Sequence, residues 1–508
     1  MDFAFEVKDS DLMGRIGLLK VGRKTIETPY LFPVIHPVNQ LISTKELESM
    51  GFGGIMTNSY IIGTRRREEA LEKGVHSMLG YDGVVMTDSG GYQVLEYGDL
   101  GVEYSQVAAF QADIGSELAV TLDRPTGFSE SEGYAKGTVE YSLRNAEATL
   151  KEYGGRDTVW VGPVQGGLFP GLVDRSARSL VAAGFQFLAL GSPVQVMENY
   201  RFAELTKMIV ATRRAVPYAM PLHLFGAGHP LTMALAVALG CDTFDSASYV
   251  LFARGGRYMT DRGVSRLETM KYLPCSCPVC SGTTVTELQE LERREMVREL
   301  SLHNLHVLRK ELETCKQAVS EGRLWDLVRE RAAAHPRLLE AFHSMAATGS
   351  LIEDGTPPLK LKGLLLRDLR DADRPEVVAA RRRLHESVRR GSTQAVLVDA
   401  EWSVPTGKTG LIAGLPKGAD VYRLHPLLGP YPVELEFVYP FTQTVAASSL
   451  KETDGLAEAA SDLRRLGYRR VYVARQGKGG GLRVRQLRSR RRSKASSPSA
   501  PSSSARPR

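Results

Sequence analysis

Short apolar runs, each closed by glycine, proline or a polar residue, recur through the first half of the chain. Eight of them read as β-strands: residues 30–35, 53–57, 83–87, 118–122, 158–164, 185–190, 221–225 and 242–245. The segments between them turn to helical spacing, as in residues 134–153 and 203–216. Strand and helix in alternation predict parallel βαβ units, and eight such units predict an α/β chain folded as a (β/α)8 TIM-type barrel. Residues 288–345 are helical and charged, a Gly/Pro-bearing break follows at 349–358, and an arginine-rich helix is predicted at 374–390. Beyond it, β-like stretches at 394–398, 433–439 and 470–474 and a helix at 455–466 read as a separate small α/β domain.

Composition narrows this picture. A hydrophobic content of 43% in 508 residues can fill a large core. No run approaches the roughly 18 apolar residues of a membrane span, and the start M-D-F-A-F-E-V-K lacks the basic-then-apolar pattern of a signal segment. Five cysteines, three of them clustered, suit a reducing cytoplasm rather than a disulfide framework, and Cys241 and Cys315 read as plain structural thiols. The net charge of +7 is uneven. Residues 463–508 hold fifteen Lys/Arg and no acid, and subtracting them leaves residues 1–462 at −8. The densest part is Arg490, Arg491, Arg492 and Lys494, and the serine-rich end after it predicts a disordered basic tail of the kind that attracts phosphate backbones.

The residues that follow the strands carry candidate chemistry. Asp88-Ser89-Gly90-Gly91 closes the third run, Asp123-Arg124-Pro125 the fourth, Gln165-Gly166-Gly167 the fifth and Gly191-Ser192-Pro193 the sixth, while Asp245-Ser246 ends the eighth. Barrel enzymes build their sites where strands end and loops begin. Taken singly, Asp88 and Asp245 also read as helix caps or turn carboxylates. Taken together on one rim, they divide a glycosyl-transfer reaction: one carboxylate attacks a sugar carbon and the other moves a proton. Asp123 and Gln165 supply the paired acceptor and donor that read a purine-like edge. His223 and His229 read as core or rim histidines.

Cys275, Cys277 and Cys280 stand in P-C-S-C-P-V-C, followed by His303 on a helical stretch, with His306 one turn further as an alternative. Three thiolates and an imidazole make a closed tetrahedral zinc site with no open position, which is the structural rather than the catalytic pattern. Arg254, Arg257, Arg262, Arg266 and Lys271 lie between Asp245 and this cluster, a loop suited to RNA phosphates. The organisation expected is therefore a barrel with a zinc-binding subdomain over residues 1–345, a linker and arginine-rich helix over 346–392, the small C-terminal α/β domain over 393–480 and the tail over 481–508.

These segments resemble one family. M-T-D-S-G-G-Y-Q at 86–93, V-Q-G-G at 164–167, F-D-S-A-S-Y at 244–249, P-C-S-C-P-V-C at 274–280 and H-N-L at 303–305 are similar to the tRNA-guanine transglycosylases. The forms at 244–249 and 274–280, with R-P-E-V-V at 374–378 and Y-P-F-T-Q-T-V at 439–445, resemble its archaeal tRNA-guanine(15) branch. The resemblance implies a zinc-braced barrel that exchanges a D-arm guanine of tRNA for 7-cyano-7-deazaguanine on the route to archaeosine. It implies Asp245 as the nucleophile at the ribose C1′, Asp88 as the acid/base, Ser89, Asp123, Gln165 and Gly191 as the base-binding pocket, and Cys275, Cys277, Cys280 and His303 as ligands of one structural Zn2+. It further implies a cytoplasmic homodimer. The compact RNA-binding PUA domain usual in this branch is not recognisable here, so either a separate PUA-domain protein supplies it or the basic tail partly substitutes through attraction to phosphates. The rival readings are an archaeosine synthase-like paralogue, whose relatives lose the two carboxylates, a non-catalytic tRNA-binding subunit, and a queuine-type enzyme acting on the anticodon.

Overall fold

The computed structural model describes residues 1–91, 103–129, 131–388, 390–398, 415–451, 455–476 and 482–487. The chain divides into two compact units, residues 1–362 with 373–376, and residues 363–372 with 377–508.

In the first unit, strands β1 (Phe3–Asp11), β2 (Gly14–Val21) and β3 (Lys24–Thr28) form an antiparallel sheet that the apolar-run reading did not foresee. All eight expected strands follow: β4 (Tyr30–Pro33), β5 (Gly54–Asn58), β6 (Val84–Asp88), β7 (Leu118–Val120), β8 (Val159–Val164), β9 (Phe187–Leu190), β10 (Leu222–Leu224) and β11 (Thr243–Ser246). Their pairings are all parallel in the order β4-β11-β10-β9-β8-β7-β6-β5, and a bridge between Val34 and Met56 brings the two ends together. The result is the expected barrel.

Alternation along each strand sorts the side chains. Phe32, Met56, Val84, Met86, Leu118, Val120, Val159, Val161, Phe187 and Ala189 point inward and pack with Leu19, Val21 and Ile26 of the first sheet. Their neighbours Leu31, Ile55, Val85, Ala119, Trp160 and Leu188 face outward into the core shared with the helices. This two-residue period is how a small barrel fills its interior. Continued to the strand ends, the inward register reaches Asn58, Asp88, Gln165, Gly191 and Asp245.

Beyond β11 come a helix (Ser248–Arg254), a hairpin of β12 (Arg257–Thr260) and β13 (Gly263–Arg266), and a 28-residue helix, Arg293–Ser320. Two further helices, Leu324–Ala332 and Pro336–Ala346, complete the outer layer. A buried ion cluster explains why residues 373–376 belong here. Lys360 Nζ bridges Asp11 and Glu376, and Arg374 pairs with Asp326. Burial drives the Asp11 pKa up against the pull of Lys360. Lys360→Ala leaves two buried carboxylates without their shared cation, so a loss of about 3–5 kcal/mol in denaturant unfolding is expected. A loss below about 1 kcal/mol contradicts this account of the cluster.

In the second unit, β14 (Leu364–Leu366) pairs in parallel with β18 (Thr444–Ala446). A five-stranded sheet runs β17-β16-β15-β19-β20, built from β15 (Gln394–Val398), β16 (Asp420–His425), β17 (Gly429–Pro432), β19 (Arg470–Gln476) and β20 (Leu482–Gln486). Two expectations are corrected. Residues 433–439 form a 3-10 turn, Val433–Leu435, and a loop rather than a strand. Proline at 432 and 440 brackets this segment, and proline cannot donate to a ladder. Residues 482–486, assigned to the tail by their charge, pair antiparallel with Tyr472–Gln476. Their L-R-V-R-Q alternation is an edge-strand pattern that charge counting hides. Residues 481 and 488–508 of the expected tail lie outside the described residues.

Candidate active site and metal centre

Three carboxylates converge at the C-terminal ends of the barrel strands. Asp88 closes β6, in register with Asn58 of β5. Asn58 Oδ1 caps the next helix by accepting from the Ile61 N–H at 3.0 Å, which turns its Nδ2 toward Asp88 Oδ2 at 2.8 Å. Ser59 Oγ donates to the Asp88 carbonyl at 2.7 Å. Burial first, and then the charges of Asp123 and Asp245, push the Asp88 carboxyl up to about 7, against the opposing N–H groups of Gly90 and Ser89. The influence of both neighbours on Asp88 places the three acids at one end of the barrel. Asp123 is raised to about 6 by burial, with the Gln165 hydrogen bond pulling the other way.

Asp245 is the penultimate residue of β11 and is 8% exposed. Its Oδ1 accepts from the Gly226 N–H at 2.8 Å and lies 3.0 Å from His223 Nε2. His223 joins this site, although the sequence reading left it as a core or rim histidine. The ring is fully buried, as that reading supposed, but it sits on the inward face of β10 beside Thr243 and touches the carboxylate. A strand-by-strand count of inward positions is the signal that finds it.

Asp123 and Gln165 form a fixed pair. Gln165 Nε2 donates to Asp123 Oδ2 at 2.6 Å, while its Oε1 accepts from the Thr126 N–H at 3.0 Å and from Ser192 Oγ at 2.8 Å. With Oε1 occupied, the second Nε2 hydrogen is the one left for a ligand, beside the remaining Asp123 oxygen. A donor next to an acceptor complements a lactam edge, C=O beside N–H, as guanine presents. Two glycines make room for the pair. A Cβ on Gly191 would stand 2.3 Å from Gln165 Nε2, and one on Gly91 2.2 Å from Asp123 Oδ1. Ser89 Oγ is buried there without a partner among the described residues. Tyr92 and Gln93 lie outside them.

Cys275, Cys277, Cys280 and His303 bring their ligand atoms within 4.8 Å of one another. Nδ1 of His303 is 3.5 Å from Cys277 Sγ and 3.3 Å from Cys280 Sγ, while Nε2 donates to the Met259 carbonyl at 2.9 Å. That outer bond fixes the tautomer and turns the free lone pair toward the sulfurs. A tetrahedral ion with bonds of about 2.1–2.3 Å sets its ligands roughly 3.6–3.8 Å apart. The cluster fits a metal ion, and His303 rather than His306 completes it. Next to it on the same helix, Asn304 donates to the Tyr249 carbonyl and accepts from the Met259 N–H. Tyr249 Oη in turn reaches the Val34 carbonyl at 3.0 Å. The helix that carries His303 therefore braces the segment immediately after Asp245. Arg254, Arg257, Arg262, Arg266 and Lys271 are all exposed, with Arg257 lying over the Phe252 ring at 4.1 Å.

Comparison with known proteins decides the family. The family pattern described as Queuine tRNA-ribosyltransferase matches residues 9–337. A tRNA-guanine(15) transglycosylase of Sulfolobus acidocaldarius is 37% identical over 473 residues, covering 92% of this chain and 93% of its own. The chain belongs to the tRNA-guanine transglycosylase family. An Aeropyrum pernix tRNA-guanine(15) transglycosylase is 40% identical over 86% of this chain and 87% of its own. One from Thermococcus kodakarensis is 39% identical over 87% of this chain and 72% of its own. As a member of the tRNA-guanine transglycosylases the protein is a pentosyltransferase, and tRNA is the substrate this membership implies. No helix among the described residues is long and apolar enough to cross a membrane.

Proposed function

We propose that this transglycosylase exchanges guanine-15 in the D-arm of tRNA for 7-cyano-7-deazaguanine through a covalent aspartyl-ribosyl intermediate. The observation that carries the reading is the meeting of Asp88, Asp123 and Asp245 at one barrel mouth, with Asp123 and Gln165 set as a lactam reader. The target nucleotide leaves its stack to reach them. Asp245 bonds to the ribose C1′ as the C1′–N9 electron pair departs with guanine, which takes the Asp88 proton. The incoming base returns a proton to Asp88, bonds to C1′ through its nitrogen and frees Asp245. Cys275, Cys277, Cys280 and His303 hold a structural zinc ion, whose contribution is to brace the fold. A homodimer and a separate PUA-domain protein complete the proposed assembly. Both carboxylates that an archaeosine synthase-like paralogue lacks are present.

Incorporation of labelled guanine into tRNA, chased by 7-cyano-7-deazaguanine, tests the reading. Label must enter position 15 and be displaced by the nitrile base; label entering only the anticodon, or not entering at all, contradicts it. The proposal also sets a pH dependence. Asp88 is the acid for guanine release and its pKa is raised to about 7, so its protonated fraction is high below that value and falls above it. Single-turnover guanine release is expected to slow toward about tenfold per pH unit above pH 7. A rate that rises from pH 7 to pH 9 contradicts Asp88 as the acid.

A further inference from the structure

We propose that His223 is a positioning residue that makes Asp245 a good leaving group in the second half of the exchange. The inference rests on the covalent reading above. Asp245 Oδ1 can only accept hydrogen bonds while ionised, so the nitrogen 3.0 Å away, His223 Nε2, carries its hydrogen. The Gly226 N–H reaches the same oxygen. No donor reaches Oδ2 among the described residues, which marks Oδ2 as the oxygen that bonds to the sugar. The imidazole itself is held in place. Its Nδ1 meets Thr243 Oγ1 at 2.9 Å, its relative exposure is 0%, and the rings of Phe225, Phe32 and Phe187 stand 5.0, 6.3 and 6.3 Å from it.

The consequence follows from where charge resides. When Oδ2 bonds to C1′, the C1′–N9 pair leaves with guanine and Asp245 becomes an uncharged ester, whose Oδ1 is a weaker acceptor. When the intermediate breaks down, the incoming nitrogen bonds to C1′, its proton goes to Asp88, and the C1′–Oδ2 pair returns to Asp245 as negative charge. An N–H aimed at Oδ1 from an apolar wall stabilises the ionised carboxylate more than the ester. His223 therefore lowers the barrier to breakdown of the adduct without lowering the barrier to its formation, and prevents the enzyme from stalling as a tRNA adduct.

The test uses the full-length protein with its tRNA. His223→Phe keeps the ring and removes the donor, and His223→Gln returns an N–H of similar reach. Adduct is quantified on denaturing gels before and after addition of 7-cyano-7-deazaguanine. In His223→Phe the adduct should accumulate and its discharge by the base should slow by about tenfold or more, with little change in the KM for the base. His223→Gln should recover most of the discharge rate. Equal slowing of adduct formation and discharge in His223→Phe, together with a lowered Tm, would reduce His223 to a structural role. Discharge at the wild-type rate in His223→Phe, or no recovery in His223→Gln, overturns the proposal while leaving the covalent reading intact. Absence of adduct in the wild-type protein overturns both.

Discussion

Asp245→Asn is expected to abolish base exchange, lowering single-turnover incorporation of guanine by roughly four orders of magnitude, in the range seen when a catalytic nucleophile is removed. The substitution keeps the size and shape of the side chain. The amide oxygen still accepts from the Gly226 N–H, so the strand end and the β10–β11 pairing should hold. What disappears is the anionic oxygen that the proposed reaction bonds to C1′. Asn also relieves Asp88 of one of the two neighbouring charges that raise its pKa, so any residual pH profile should shift toward lower pH. Binding of tRNA and the thermal midpoint should stay near the wild-type values, which separates lost chemistry from lost structure. Exchange within about tenfold of wild type would remove Asp245 from the role of nucleophile.

The second large effect is loss of the metal. Cys280→Ser, or removal of the ion by a strong chelator, is expected to destabilise the barrel unit by about 5 kcal/mol or more, because structural zinc contributes its binding energy directly to folding. The damage should reach catalysis. The helix that carries His303 also carries Asn304, which holds the Tyr249 carbonyl just beyond Asp245. Elemental analysis should find one zinc per chain in the wild-type protein and less than a tenth of that in the variant. Exchange and thermal midpoint should fall together. A metal-free protein with the wild-type midpoint contradicts a structural role for the cluster.

Much of this arrangement was legible in the chain because barrel strands are buried on both faces. Buried strands read as continuous apolar runs, and the residue that ends each run is placed on the rim by the fold itself. Asp88, Gln165, Gly191 and Asp245 were accessible to reading for that reason. The sheet β1–β3 was not, because strand β1 alternates half-buried and exposed positions over F-A-F-E-V-K and offers no apolar run. Residues 482–486 escaped for a similar reason, their arginines masking a strand. His223 escaped because its meaning lies in register. Pairing of His223 with Thr243 sets the ring one inward step below Asp245, and no local property of P-L-H-L-F announces that neighbour. The same limit hid Asn58 and Ser192, whose work is to turn the Asp88 and Gln165 side chains.

The central claim is a bond between Asp245 and a ribose carbon. Mass spectrometry of the protein quenched in denaturant during turnover, digested with nuclease and protease, tests it most directly. A peptide containing Asp245 that carries an abasic ribonucleotide, and is lost after a chase with 7-cyano-7-deazaguanine, is the result this account predicts. An adduct mapped to any other side chain, or exchange that proceeds with every Asp245 peptide unmodified, would contradict it.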